Sequence, residues 1–461
     1  MHNTNEKRRI GFFLLILGAL VLLAWGSSIA RSRPLGMLDF RAIYYATSGL
    51  IHHQDPYNQA ALRAYYQASG SIHPEDPAWL IYTLTLVNYL PSTYPVIAPF
   101  ALFPWQTAQW LWLGLSTISF LAGAFVVWRL IRDRIPLFGG LLIGFLLANS
   151  LILLGGGNAA CLVVGLCTVA VWCLLQQRLP ALAVLCLAVS LALKPHDAGF
   201  LWLYFFLAGG ALRRRALQSL VLVVVIATIG VIWLHQIVPQ WLPELRTVMA
   251  TYDAPGGANY PGFQGVPGSA FRAYDIPTSP GMVCDLRTIV AVFGDDPHFY
   301  TPVTWLICLP LLAIWAVVTL RLPSSPRNTI IALAAIVPLS LLPVYHRTTD
   351  TKLLLLVIPA CALLWAQNHR LRWPAALLTT AAIVLTGDIP LTLIGMSVGP
   401  VDWAHAGLGH RMVLAAITRP VPLILLVLGV FYLYAYIRQL QLRPSTASAG
   451  GPEAVPEQVV A

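Results

Sequence analysis

Long apolar runs separated by short polar turns set the pattern of this chain. Runs such as 217–234 do not alternate apolar with polar positions, which excludes the short alternating strands of a membrane barrel. Crossing the hydrocarbon takes roughly 20 apolar residues in a helix. Lipid cannot satisfy an exposed backbone, so spans of this kind must be helical. The pattern predicts about twelve of them, over 10–30, 104–131, 136–154, 158–176, 179–193, 198–212, 216–237, 301–320, 328–344, 352–366, 373–394 and 413–436. The short fifth and sixth runs also suit re-entrant segments. The expected fold class is all-α, a polytopic integral membrane protein formed by residues 1–443. The Ser/Ala/Gly/Pro-rich stretch 444–461 is expected to be a disordered cytoplasmic tail.

The polar turns fall into two sets. Arg129/Arg132/Arg134, Arg178, Arg213/Arg214/Arg215, Arg321/Arg327, Arg370/Arg372 and Arg438/Arg443 occupy every second turn. Arginine and lysine collect on the cytoplasmic side, so these turns and both termini are placed inside, in a cell inner or plasma membrane. Lys7, Arg8 and Arg9 precede the first run without a small-residue cleavage site, which reads as an uncleaved span. The intervening turns, 155–157, 194–197, 345–351 and 395–412, and the long loops 31–103 and 238–300, are then outside.

Composition sharpens this picture. The chain is 58% hydrophobic and 10% charged, against about 25% charged for a soluble domain. Its net charge of +10 is an orientation signal, and nucleic acid is not an expected partner. Of the seven cysteines only Cys284 lies in an outside loop, without an obvious disulfide partner. His52, His53 and His73 match no metal-ligand spacing, and no metal site is expected.

The outer segments hold the unusual polar residues. In the first loop, Asp39 opens a stretch in which Phe40, Ile43, Tyr44 and Leu50 share one side, as in a helix lying at the interface. The stretch 60–68 suits a second such helix. Asp39 fits either a helix N-cap or a general base near the membrane surface. Asp55-Pro56-Tyr57 reads as a turn. Gly155-Gly156-Gly157-Asn158 permits a tight turn, with Asn158 as a cap or a ligand contact. Lys194 is one of three lysines in the chain and ends an apolar run. It must pair with Asp197 or meet an anion such as a phosphate. The densest cluster is Tyr345-His346-Arg347-Thr348-Thr349-Asp350-Thr351-Lys352. It suits a solvated turn or an anion site, since Arg grips phosphate in a planar fork and Lys acts as a point charge. Asp295, Asp296, Asp275 and Asp76 read as solvated charges. The long loop 238–300, with its Gly/Pro-rich stretch 254–261, fits a mobile connector or a lid.

The order of these motifs resembles the polytopic glycosyltransferases of family eighty-seven, in the GT-C superfamily. The matching residues are Asp39 with its aromatic helix, Asp55-Pro56-Tyr57, Tyr94-Pro95-Val96-Ile97-Ala98-Pro99, Ala108 and Trp110, Gly157-Asn158, Lys194-Pro195, and Tyr345-His346 with Asp350. The resemblance runs from about residue 35 to 365. Gly156-Gly157 stands where the family often has Gly-Gln, and Tyr94-Pro95-Val96 where it often has Tyr-Pro-Pro. The resemblance implies a metal-independent, inverting transferase with no cofactor. Its donor would be a polyprenyl-phosphate sugar, mannose or another hexose or pentose, and its acceptor an envelope glycolipid or glycan on the outer face. It implies Asp39 as base and His346 near the donor phosphate. Arg347, Lys352 and Lys194 are helpers there, and Tyr44, Asp55, Tyr57, Asn158, His196 and Asp350 are candidate substrate contacts. A lipid-linked-sugar transporter is the rival class, though transporters commonly show internal repeats and midplane sites. A glycan ligase or polymerase is a third.

Overall fold

Breaks in the apolar runs decide the architecture. The computed structural model describes residues 2–32, 36–68, 78–255, 283–367, 370–398 and 406–441, with positions 70, 72, 76, 257 and 259–261. The expected tail 444–461, His73, Asp275 and, in the Gly/Pro-rich stretch, Gly256 and Ala258 lie outside the described residues. Among those described, the chain is helical with no strand; Val283 and Arg347 form an isolated antiparallel bridge.

Every expected span is helical, but not every one is long. Five helices are long and apolar enough to cross a membrane: Thr4–Arg31, Trp105–Ile131, Gly210–Ile237, Pro297–Arg321 and Pro420–Gln441. A sixth candidate is the pair Arg372–Leu385 and Asp388–Val398, bent by 66° at Thr386-Gly387. Pro136–Ala148, Ala159–Leu175, Pro180–Leu193 and Pro326–Ser340 are apolar but shorter. The sequence reading took several runs as continuous where the backbone interrupts them. Asn149 ends one helix, and the five-residue helix Leu151–Gly155 follows. The run 352–366 opens as a 3-10 helix over Asp350–Leu356 before Ile358–Ala366. Lys194 precedes Pro195, and the residue before a proline is driven out of the α region, so the helix must stop there.

Close backbone contact orders the first helices. A Cβ at Gly18 would lie 2.1 Å from the Gly144 carbonyl oxygen, and one at Gly140 would lie 2.1 Å from that of Gly11. Small residues allow this approach, which replaces the hydrophobic drive that lipid removes. The contact carries helix His2–Arg31 along Pro136–Ala148 to the Gly155–Gly157 turn. Gly165 repeats the device: its Cβ would lie 2.2 Å from Ser119 O, locking Trp105–Ile131 onto Ala159–Leu175.

Helix Pro326–Ser340 is buried along nearly its whole length, and so are residues 350–364. Gly210–Ile237 and Pro297–Arg321 instead present Val221, Ile229, Leu306 and Leu320 outward, as lipid-facing helices would. Two polar contacts join the arginine-bearing ends of the helices. Arg8 Nη2 lies 2.7 Å from Asp133 Oδ1, and Arg327 Nη2 donates to Gln367 Oε1 at 3.3 Å.

A second, smaller core joins segments of the two long loops 31–103 and 238–300. Leu38–Ile51, Gln59–Ala68, Ala78–Thr85 and the helix Trp241–Asp253 share it, with Leu62, Tyr66, Leu84, Tyr94, Leu245 and Tyr252 inside. The helix expected at 38–51 is present as Leu38–Ile51, with Phe40, Ile43 and Tyr44 in the main core and Ala42, Ala46 and Leu50 in the smaller one, so it is wedged between two cores.

Candidate active site

The glycine-rich turn builds the seat of Asp39. Gly157 has φ +66°, and a Cβ there would lie 2.9 Å from Phe40 Cβ, so only glycine suits the position. Its carbonyl accepts a bond from Trp112 Nε1 at 2.9 Å, and the Trp112 ring stacks on Phe40 at 4.6 Å. The carbonyls of Gly155 and Gly156 accept the amides of Met37 (2.7 Å) and Asp39 (2.9 Å). These are orphan donors at the start of helix Leu38–Ile51. Asp39 is thus not the N-cap. Met37 is, with φ 56°, and its side chain makes no capping bond. The Asp39 carboxylate is half-buried and accepts the Asn158 side-chain amide at Oδ2, 2.7 Å away. Asn158 uses its other end as a cap, accepting from Ala160 N at 2.8 Å. One side chain therefore fixes both a helix start and a carboxylate.

A charged cluster stands on the other side. Lys194 lies at the joint between Pro180–Leu193 and Pro195–Leu207 and is pinned to Asp350 Oδ1, with Asp197 Oδ2 at 3.2 Å. Asp350 Oδ2 accepts Arg347 N at 2.9 Å, closing the 347–350 turn. Although burial opposes it, the Lys194 ammonium holds the Asp350 carboxyl well below its ordinary range. His346 is fully enclosed. Its Nδ1 donates to Val344 O at 3.0 Å and its Nε2 lies 3.5 Å from Asp197 Oδ1. The His196 ring stands edge-on to it at 5.1 Å and remains partly exposed. Burial, then the Lys194 ammonium, pushes His196 down to about 3, so its imidazole is neutral. Segment 283–286 backs the cluster, with Cys284 N donating to His346 O at 2.8 Å.

Arg347 joins the two halves. Its Nε donates to the Tyr345 hydroxyl. Against its burial, Tyr345 and then the Asp39 carboxylate raise the guanidinium's pKa. Tyr89, whose hydroxyl donates to Asp39 O at 3.2 Å, feels both charges as well. Asp39 and Arg347 therefore share one electrostatic neighbourhood, with Asn158 on one flank and Lys194, His346 and Asp350 on the other.

Other residues singled out from sequence stand elsewhere. Lys352 is 2% exposed, and its ammonium donates to Asn149 O (2.9 Å) and Thr386 O (2.7 Å), with Asp388 Oδ1 at 3.6 Å. It ties together two interrupted helices, so its expected place at a phosphate is corrected to that of a buried strut. Tyr44 donates to Phe103 O at 2.7 Å and Tyr57 to Tyr89 O at 2.8 Å; both are enclosed. Asp55 forms the expected turn, accepting Tyr57 N at 2.8 Å. His52 is held by Ser48 O and Tyr65 OH. His196, Asp197 and His346 have donor atoms within 4.8 Å of one another, a spacing a metal ion could use. The Lys194 ammonium already supplies positive charge there.

Asp55 also faces Glu244 of helix Trp241–Asp253. Burial, then a hydrogen bond with Asp55, raises the Glu244 carboxyl to about 7. A folded-state value above the free one means a contact that is complete at acid pH and weakens as pH rises through about 7. Amide exchange over 241–253, corrected for intrinsic rates, should accelerate from pH 5 to pH 8 in the native protein but not in Glu244→Gln. Equal protection at both pH values would refute the shared proton.

Sequence reasoning treated Asp197 only as a partner for Lys194 and overlooked Tyr89, Asn149, Asp388 and the Gly155–Gly156 carbonyls. Asp197 follows His196 in a cluster already notable for its lysine, which was the available signal. Backbone carbonyls leave none.

The helices and the charged cluster describe a multi-pass membrane protein that gathers a carboxylate, a guanidinium and an ammonium in one neighbourhood. A model of glycosyltransferase family 87 matches residues 88–342, a little over half of the chain, and the chain belongs to that family. Asn158, Lys194 and His196 lie within the match, and Asp39 and His346 flank it. No curated protein and no solved structure matches.

Proposed function

We propose that this glycosyltransferase moves a sugar from a polyprenyl-phosphate donor to a glycolipid or glycan acceptor at the outer face of the membrane, in one inverting displacement without a metal. The observation that carries the reading is the seating of Asp39: one carboxylate oxygen held by Asn158, in the electrostatic reach of Arg347. A polyprenyl chain stays in the bilayer, so its phosphate must react at headgroup level. This fits a fold of about twelve crossings, with both termini inside.

In this reading the acceptor hydroxyl gives its proton to Asp39 Oδ1 as its oxygen bonds to the anomeric carbon. The bond from that carbon to the phosphate oxygen breaks, and the electron pair leaves with the polyprenyl phosphate. Arg347 and Lys194 stabilise that charge, with His346 coupled to Lys194 through Asp197. No protein nucleophile is needed, because the donor is already activated.

The bent pair at Thr386-Gly387 favours a second reading, since interrupted helices are common in transporters. Sealed proteoliposomes carrying labelled polyprenyl-phosphate mannose and a glycolipid acceptor distinguish the two. New glycosidic bonds are expected; movement of label across the bilayer without them would favour transport.

A further inference from the structure

Asp197 enters the displacement only as the link between His346 and Lys194, yet its surroundings set it apart. Its carboxylate is completely enclosed in the first turn of helix Pro195–Leu207, where the amide ends favour negative charge. Three nitrogens surround it: Lys194 Nζ at 3.2 Å from Oδ2, and His346 Nε2 at 3.5 Å and His196 Nε2 at 3.8 Å from Oδ1. Oδ2 has the Lys194 ammonium, but among the described residues Oδ1 has no hydrogen-bond partner, and neither does the enclosed His346 Nε2. A buried carboxylate normally costs several kcal/mol unless it is paired and hydrogen-bonded.

The tautomer makes the mismatch sharper. His346 Nδ1 faces the Val344 carbonyl at 3.0 Å and so carries a proton. With that proton alone, Nε2 would point a lone pair at Asp197. A second proton between Nε2 and Oδ1 turns a repulsive contact into an attractive one. Charge counting agrees. Asp197 and Asp350 both face the single Lys194 ammonium, so without that proton the trio presents net negative charge to an arriving phosphate.

We propose that Asp197 and His346 form a proton-carrying pair and that the donor phosphate binds with uptake of one proton onto it, Asp197 acting as the positioning residue. This rests on the donor assignment made above. The groups facing the pair are Lys194 and His196 from its own helix, Asp350 from the 345–350 turn, in which Tyr345 and Arg347 flank His346 in the chain, Cys284 from the backing segment and Cys167 from helix Ala159–Leu175. Burial and the Asp350 charge both raise the Asp197 carboxyl, so protonation of the pair is favoured from the carboxylate side too.

The test is the pH dependence of binding, read separately from transfer. Polyprenyl phosphate binding to the purified full-length protein should weaken as pH rises, by about tenfold per pH unit once the pair loses its proton. In Asp197→Asn and in His346→Gln that slope should flatten, and donor KM should follow it while acceptor KM does not. A slope unchanged in both variants overturns the proposal. So does stoichiometric divalent metal that binds the native protein and is lost with Asp197→Asn. If Asp197→Asn does not fold, His346→Gln and the native slope still decide: a flat native profile overturns it. Failure of the native protein to bind polyprenyl phosphate at any pH would sink the donor assignment itself, a distinguishable result.

Discussion

Asp39→Asn should lower sugar transfer by roughly 10²–10⁴-fold, the usual contribution of a positioned general base, while the thermal unfolding curve stays where it was. The substitution keeps shape and keeps an oxygen for the Asn158 amide, so the seat built by Gly155–Asn158 survives. Only the capacity to take the acceptor's proton is removed. The loss should fall on kcat, with donor and acceptor KM little changed, because the missing interaction belongs to the transition state. Asn158→Ala should do less to catalysis and more to stability, because Asn158 also caps helix Ala159–Leu175; losing such a cap costs about 1 kcal/mol. Native turnover by Asp39→Asn would end its assignment as base.

Lys352→Ala should fail in the opposite way. It strands the buried Asp388 carboxylate and removes the donor from the Asn149 and Thr386 carbonyls. Removing one partner of a buried pair typically costs about 3–5 kcal/mol. The interrupted helices Pro136–Ala148 and Arg372–Leu385 would lose their shared tie, so a large drop in melting temperature in detergent is expected. Lys352→Met combined with Asp388→Leu should recover part of it, since neither charge is then left alone. A folded Lys352→Ala with native melting temperature and selectively weakened donor binding would restore the phosphate role that sequence alone assigned to this lysine.

These two residues mark what the sequence made legible. Periodicity and the arginine-bearing turns gave the helices and grouped the turns, because each follows from local chemistry and the demands of lipid. Asp39, Asn158, Lys194 and His346 stood out because charged or amide groups beside apolar runs need a reason. Lys352 stood out equally, yet it serves a packing purpose. Its partners Asn149, Thr386 and Asp388 are 203, 34 and 36 positions away in the chain, and a sequence pattern does not show which distant carbonyls converge on an ammonium. The helix at 38–51 was recognisable, but its burial was not. Its second face is covered by Gln59–Ala68 and Ala78–Thr85, in a core that Trp241–Asp253, far along the chain, also joins. The Gly-Gly-Gly-Asn turn suggested flexibility or a cap, whereas its carbonyls hold the first turn of another helix, a use that leaves no residue signature.

The most direct test of the account is the anomeric configuration of the product made by the purified protein from a β-linked polyprenyl-phosphate mannose and an envelope glycolipid. A single displacement assisted by Asp39 predicts an α-linked mannoside, formed without added nucleotide sugar and made roughly 10²–10⁴-fold more slowly by Asp39→Asn. A β-linked product, or transfer only from a nucleotide sugar, would contradict it.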